Sequence, residues 1–249
     1  MQLNNEVSDE GLFKVHISNK IANLTLNRMP VNALNLAAYQ TITDELLSVK
    51  DDLGVNVLII RSASHVFCAG ADLKEVASSS PQFDEQKQFA ARRLFELIRN
   101  FPVPVIAAIN GAALGAGAGL AACSDIRYAS VSATIGLPEI NVGRAGGSRH
   151  MMRLLPQGQM RKMYFTGEAM SAERAHHYGL IDEIIPGGSD ALDEAVMSLA
   201  NTIASKDGIA LRLAKESINL CENLPVEAGY QVEQQFSLRL GLLGELSDE

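Results

Sequence analysis

The sequence predicts an α/β protein with a helical C-terminal region. Short apolar runs typical of strands alternate with segments of helical periodicity up to about residue 189, and helical patterning continues from there to the end. The chain has 249 residues, of which 47% are hydrophobic and 20% charged, so it can bury one full core. We therefore expect a core over residues 1–189 and a helical region over residues 190–249.

The first half of the chain alternates strand-like and helix-like segments. Residues that alternate between apolar and polar predict strands, and apolar residues three or four apart predict helices. The predicted elements are strands at 13–17, 21–26 and 55–61 and helices at 36–50 and 84–100. Asn35 is a suitable N-cap for the first helix, and the polar run 78–81 is expected to be a break. The second helix has four apolar residues spaced for one buried face: Phe89, Leu94, Phe95 and Ile98.

The second half continues this alternation and ends in helices. Predicted strands lie at 103–109, 125–130, 133–136 and 181–185, and helices at 147–155 and 172–179. Ser171 is expected to cap the second of these helices. From residue 190 onward the pattern is helical, with breaks near 207–208 and 224–225, where Gly or Pro interrupts it.

A loop of small residues follows the strand at 103–109. Gly and Ala alternate from Gly115 to Gly119, so something large is expected to approach the backbone there. Free N–H groups at the start of the following helix suit an anion or the oxyanion of a reacting carbonyl. Leu120 stands where a dinucleotide-binding loop needs its third small residue, which excludes that motif. A loop that serves packing alone remains the alternative.

Three further motifs occur in a fixed order with this loop. An F-C-A-G-A-D-L run at 67–73 precedes the N-G-x-A-L-G-x-G loop at 110–117, and a P-E pair follows at 138–139. Together with the segment 27–35, they have the order and spacing of the crotonase superfamily of enoyl-CoA hydratases and isomerases. The chain resembles that superfamily over about residues 12–240.

The resemblance implies a crotonase-like spiral of β-β-α units. Its helical C-terminal region would cover the active site and pack across subunits, giving a homotrimer or homohexamer. The implied function is hydration or double-bond isomerisation of an acyl-CoA thioester. Coenzyme A would then be part of the substrate, so no separate cofactor and no metal are expected.

The resemblance also assigns roles to individual residues. The backbone N–H groups of Ala71 and Ala116 would form the oxyanion hole, and Glu139 would be the acid/base. Gly119 occupies the position of a second glutamate in standard hydratases, so one carboxylate remains and isomerisation becomes plausible. Arg144 follows Glu139 closely, and we expect it to face solvent rather than a polar acyl group.

The expected CoA-binding surface is also taken from the resemblance. The adenine would lie against the segments around residues 33, 69 and 73, and Arg28 or Lys74 would face a phosphate. The residues assigned to this surface are Arg28, Ala33, Ala69, Asp72, Leu73 and Lys74.

Net charge, the length of the apolar runs and the cysteine content limit the classes of binding partner and the cellular compartment that we expect. The net charge of −8 argues against a nucleic-acid or anionic-membrane surface. Residues 1–6 are polar and acidic, unlike a signal peptide, and the apolar runs are too short to span a membrane. The three cysteines form no metal-like cluster, and reduced thiols fit a cytoplasmic protein. Two alternatives stay open: a catalytically silent CoA-binding relative, and a thioester hydrolase on the same fold.

Overall fold

The computed structural model describes residues 12–247, except for the side chains of 244–247. The polar segment 1–6, which we expected not to be a signal peptide, lies outside the described residues. Within the described part, no helix combines the length and apolar character needed to cross a membrane.

Strands and helices are interleaved along the chain up to β9, and the last three elements are helices. The strands are β1 (Phe13–Ser18), β2 (Ile21–Leu26), β3 (Val57–Ser62), β4 (Val105–Ile109), β5 (Ala112–Leu114), β6 (Ile126–Ser130), β7 (Thr134–Gly136), β8 (Met170–Ser171) and β9 (Glu183–Ile185). The helices are α1 (Leu36–Lys50), α2 (Leu73–Ser78), α3 (Pro81–Arg99), α4 (Ala116–Cys123), α5 (Ser148–Met151), α6 (Gln157–Thr166), α7 (Ala172–His177), α8 (Ser189–Ala204), α9 (Gly208–Cys221) and α10 (Val226–Ser247). A 3₁₀ turn spans Pro138–Val142. The predicted α/β class is confirmed.

The larger sheet places the two predicted site loops side by side. Its strand order is β1-β2-β3-β4-β6-β9, in which β1 and β2 are antiparallel and the remaining neighbours are parallel. Because β3 and β4 are parallel neighbours, the loops that follow them leave the same edge of the sheet. The 57–74 and 103–120 segments of the sequence therefore meet in space.

Strand β3 shows why this sheet is buried on both faces. Leu58 and Ile60 enter the main core, whereas Val57 and Ile59 pack toward a second cluster that contains Leu192 of α8. Alternate residues of a strand point to opposite faces, so an uninterrupted apolar run is what a doubly covered parallel strand requires. Helix α8 thus covers one face of the sheet, and α9 packs against α10.

A smaller sheet joins β5, β7 and β8. Strands β5 and β7 are parallel, with Leu114 opposite Gly136, and β8 adds antiparallel to β7. This pairing sets the end of β7 beside the start of α4. The turn that contains Glu139 follows β7 directly, so Glu139 lies next to the glycine-rich loop.

The predicted N-cap residues are confirmed, whereas the first or last residues of several helices differ from the prediction. The Asn35 side chain accepts a hydrogen bond from the backbone of α1, and Ser171 does the same for α7. Helix α3 starts at Pro81 rather than at 84, because Ser80 caps it and proline suits the first helical position. Helix α5 ends at Met151, four residues before its predicted end.

The buried face of α3 also differs from the prediction. Phe89 is 58% exposed, with the Arg92 guanidinium 5.3 Å from the centre of its ring. Lys87, which no apolar pattern selects, is only 5% exposed. The reason lies in the ion pair that Lys87 forms with Glu75 of α2.

Candidate active site

The first site loop, residues 68–72, is held from both sides by backbone hydrogen bonds. Cys68 exchanges bonds of 2.9 and 3.0 Å with β5, and Leu34 exchanges bonds of 2.8 and 2.9 Å with Gly70 and Asp72. The Ala71 N–H lies between the two bonds to Leu34 and points away from that residue. Among the described residues it has no hydrogen-bond acceptor. A preorganised donor is therefore free to bind a ligand oxygen.

In the second site loop, the hydrogen-bond donor is the backbone N–H of Ala116 at the start of α4. Gly115 has φ +53° and is followed by Ala116, the first residue of α4. The first N–H groups of a helix lack an intrahelical acceptor, and the described residues supply none to Ala116. Ala116 has no positive φ, so alanine is accommodated there without backbone strain.

The first site loop and the start of α4 approach each other so closely that glycine is required at two positions, 70 and 117. A Cβ on Gly70 would lie 2.8 Å from the Leu114 carbonyl oxygen and 3.4 Å from the Ala116 nitrogen. A Cβ on Gly117 would lie 2.1 Å from the Cys68 carbonyl oxygen. Both positions therefore exclude any side chain, and α4 is pressed directly onto the first loop.

Glu139 reaches the same place from the small sheet. Its 3₁₀ turn follows β7, and the Gly115 N–H donates to the Gly136 carbonyl over 2.9 Å. A Cβ on Gly115 would be 2.9 Å from Oε1 of Glu139, which places this carboxylate beside the start of α4. Its other oxygen, Oε2, is buried and has no hydrogen-bond partner in the described part of the chain. Burial raises the pKa of this half-buried carboxyl, so it is suited to exchanging protons.

Aromatic packing fills the neighbourhood of Gly119. A Cβ on Gly119 would lie 2.8 Å from Cζ of Phe95, whose ring stands edge-on to His150 at a centroid distance of 5.9 Å. Burial lowers the pKa of His150, and the nearby arginines lower it further, which favours the neutral ring. A carboxylate at position 119 would need the space that Phe95 occupies. Sequence reasoning placed Phe95 on a buried face but did not pair it with Gly119, because the two are distant along the chain.

The residues assigned to CoA binding gather at the outer side of the first loop. Arg28 donates to the Ala33 carbonyl over 2.8 Å and pairs with Asp72 at 3.0 Å. Asp72 also accepts from the Lys74 backbone and so caps α2. Leu73 is 57% exposed. Lys74 is also exposed, and Ala33 and Ala69 are half-buried. Arg28 and Asp72 thus hold the loop together, while Leu73 and Lys74 are open to a ligand.

Arg144 is exposed, as expected, and also forms an ion pair that the sequence did not indicate. Its guanidinium pairs with Asp84 of α3 at 2.7 Å, and its backbone N–H donates to the Glu139 carbonyl over 2.9 Å. This pair ties the loop after Glu139 to the first turn of α3. No local sequence pattern links positions 60 residues apart, so the pairing could not be predicted.

The geometry combines two backbone donors with one carboxylate of raised pKa. Donors aimed at one oxygen stabilise negative charge that develops on a carbonyl, and a nearby carboxylate can move a proton at the adjacent carbon. The Gly70 backbone lies beside Gly115 and Ala116, and the Glu139 carboxylate lies beside Gly115. Such a site is suited to proton transfer at a carbon next to a carbonyl group.

Comparisons with known proteins agree with this geometry. A family model described as "Enoyl-CoA hydratase/isomerase" matches residues 16–240. The chain is 36% identical to a (7aS)-7a-methyl-1,5-dioxo-2,3,5,6,7,7a-hexahydro-1H-indene-carboxyl-CoA hydrolase of Mycobacterium tuberculosis, covering 92% of each chain. It is 35% identical to the 2,3-dehydroadipyl-CoA hydratase of Escherichia coli, covering 85% of this chain and 83% of that protein. Among solved structures, an enoyl-CoA hydratase from Bacillus anthracis superimposes with a TM-score of 0.87 at 33% identity, covering 95% of this chain and 96% of that one.

Proposed function

Because the chain belongs to the enoyl-CoA hydratase/isomerase family and has the crotonase fold, we propose that it binds an acyl-CoA thioester at the loops around Ala71 and Ala116. The thioester oxygen accepts hydrogen bonds from both backbone N–H groups. When an enolate forms, each donor stabilises the oxyanion by up to about 3–4 kcal/mol. The exposed Leu73 and Lys74 then face the CoA moiety.

Glu139 is the acid/base in this proposal. It removes a proton from C2 of a 3-enoyl-CoA and returns it to C4, which moves the double bond into conjugation with the thioester. One carboxylate suffices for this shuttle, whereas hydration needs a water that is both held and activated. The observation that carries the proposal is the Glu139 carboxylate beside Gly115, with Phe95 in the space that a carboxylate at 119 would need.

A substrate comparison tests this assignment. Matched 2-enoyl-CoA and 3-enoyl-CoA esters are followed by the ultraviolet absorbance of the conjugated thioester, in deuterated water. We expect conjugation of the 3-enoyl ester to be faster than loss of conjugation of the 2-enoyl ester, with deuterium entering at C2 or C4. If hydration of the 2-enoyl ester is clearly faster, the single-carboxylate proposal is wrong.

Hydrolysis of a CoA ester is the second candidate. It is favoured by the 36% identity to a carboxyl-CoA hydrolase over 92% of both chains. In that reaction Glu139 would activate a water molecule for attack on a carbonyl held by the same two N–H groups. Release of the free CoA thiol, measured with a thiol-reactive dye, separates this candidate from isomerisation, which releases none.

A further inference from the structure

A buried asparagine lies between the segment before α1 and the first site loop. Asn32 is fully buried and has φ +52°. Its Oδ1 accepts from the Arg28 N–H over 2.8 Å, and its Nδ2 donates to Ser62 Oγ over 2.7 Å and to the Phe67 carbonyl over 3.0 Å. A backbone N–H can only donate and a carbonyl can only accept, so the amide has a single possible orientation. Glycine would serve the turn equally well, so these buried bonds require a further explanation.

The segment 31–34 runs alongside the first site loop and is bonded to it. The Ala69 N–H donates to the Val31 carbonyl over 3.0 Å, and the thiol of Cys68 donates to the Asn32 carbonyl over 3.1 Å. The pair of backbone bonds described above continues this contact toward α2. The position of the loop, and of its free N–H donor, therefore follows the position of this segment.

The Asn32 side chain links this segment to the rest of the fold. Ser62 is the last residue of β3, and Phe67 immediately precedes the first site loop. The Ser62 hydroxyl in turn donates to the Val66 carbonyl over 2.7 Å. One amide thus joins the end of a core strand, the start of the loop and the segment that runs beside it.

The spacing of the two proposed oxyanion donors depends on this link. Backbone bonds to β5 hold the first loop at Cys68, and the Asn32 amide anchors its other side. A Cβ on Gly70 would lie 3.4 Å from the Ala116 nitrogen, so the loop is in close contact with the second donor. A small shift of the loop therefore changes where the Ala71 N–H points relative to the Ala116 N–H.

We propose that Asn32 is a positioning residue that aims the Ala71 N–H at the oxygen bound by the Ala116 N–H. This inference rests on the proposed function, since it concerns the donors that bind the thioester there. Asn32 is buried and acts through the loop, without touching the substrate. Donors stabilise an oxyanion only when they are already aimed at it, so loss of the amide weakens this stabilisation while the CoA surface remains.

The carbonyl stretching frequency of a bound thioester reports on the two donors. Hydrogen bonds weaken a carbonyl bond and lower this frequency, which infrared difference spectra resolve for a saturated acyl-CoA labelled with carbon-13 at the carbonyl. We expect the wild-type protein to lower the frequency below that of the free ester in water. If the ester does not bind, or binds without this shift, the proposed function fails and the inference fails with it.

Asn32→Gly tests the inference itself. Glycine adopts φ +52° without strain, so the substitution removes the amide and leaves the turn. We expect most of the carbonyl shift to be lost and turnover to fall by about tenfold to a hundredfold, as for slightly misplaced catalytic groups. The Kd of the saturated ester should stay within about threefold of the wild-type value.

Asn19→Gly is the matched control. Asn19 also has a positive φ, +51°, but lies exposed in the turn between β1 and β2. This variant should keep the wild-type frequency and turnover. If Asn32→Gly, with the ester bound, also keeps the wild-type frequency, Asn32 serves stability alone and the inference is overturned, whereas the proposed function stands.

Ser62→Ala keeps the test decisive if Asn32→Gly does not fold. The substitution removes one acceptor of the Asn32 amide and the hydroxyl that donates to Val66, with little change of shape. We expect a smaller loss of the carbonyl shift in the same direction. In that case a wild-type frequency in the bound Ser62→Ala protein would overturn the inference.

Discussion

The buried carboxylate of Glu139 lowers the free energy of unfolding. Its Oε2 is buried without a hydrogen-bond partner among the described residues, and burial raises its pKa. A carboxyl whose pKa is raised on folding stabilises the folded state most below its ordinary pKa, and that contribution is lost as the pH rises through the folded pKa. The charged form that proton abstraction requires is therefore the form that the folded state tolerates least.

We therefore expect Glu139→Gln to melt at a higher temperature than the wild type at pH 7, because the substitution removes a desolvated charge. The difference should shrink as the pH falls and vanish below about pH 3, where the wild-type carboxyl is protonated in both states. Thermal unfolding of both proteins over this pH range measures it. A melting difference that does not change with pH would show that the Glu139 charge is not the cause.

At the scale of elements, the position of Ala116 depends on how closely α4 approaches the first loop. A Cβ on Gly117 would meet the Cys68 carbonyl at 2.1 Å, whereas one on Gly119 would meet the end of the Phe95 ring at 2.8 Å. A backbone carbonyl cannot move without shifting the loop, but a ring at the end of a side chain can.

Gly117→Ala should therefore cost about 3 kcal/mol or more, at the upper end of overpacking penalties, and Gly119→Ala much less. The gain in helix propensity, about 1 kcal/mol for glycine to alanine, partly offsets the cost at position 119. Urea unfolding of both variants gives the comparison. Equal losses of stability would mean that α4 is not fixed by its contact with Cys68.

The sequence predicted elements with local signals and missed those without them. Asn35 and Ser171 mark helix starts because a cap is a local hydrogen bond. Helix α4 begins at Ala116, inside the run of Gly and Ala, and such a run has no apolar periodicity from which a helix start could be predicted. The burial of Lys87 depends on Glu75, twelve residues away on another helix, and hydrophobic patterning contains no such information.

The motif order selected the candidate site residues, and the fold shows how they lie relative to one another. Glu139 follows β7 in the sequence, and only the pairing of β7 with β5 brings its carboxylate to Gly115. The conflict between Phe95 and Gly119 likewise arises from the packing of α3 against α4. Residue type and spacing therefore selected candidate residues but could not predict which side chains pack around them.

At the scale of the whole molecule, the last helix has apolar side chains without intramolecular cover. Val232, Phe236 and Leu240 of this helix are half-buried, and α10 packs against α9. The exposed large apolar residues of α10 include Tyr230, Leu238 and Leu242, at 59%, 70% and 64%. Apolar surface of this kind favours association with another copy.

We therefore predict a homo-oligomer built on trimers, in which this exposed side of α10 is covered. Light scattering at micromolar concentration should report a trimer or a larger multiple. The double substitution Leu238→Glu and Leu242→Glu should shift the mass toward the monomer, since it buries charge in the contact. Arg239→Glu, on the same helix, is the control for a general charge effect. A wild-type protein that is monomeric under these conditions contradicts the prediction.

The central claim is that one carboxylate, held beside two backbone donors, performs the proton transfer. Glu139→Gln tests it most directly, measured as turnover of the best acyl-CoA substrate together with the Kd of an unreactive saturated acyl-CoA. We predict that turnover falls about a hundredfold or more while Kd stays within about twofold, because general acid/base help is lost and the oxyanion donors remain. The exposed Glu173→Gln variant should match the wild type in both measurements. A Glu139→Gln protein that retains full turnover would contradict the site assignment as a whole.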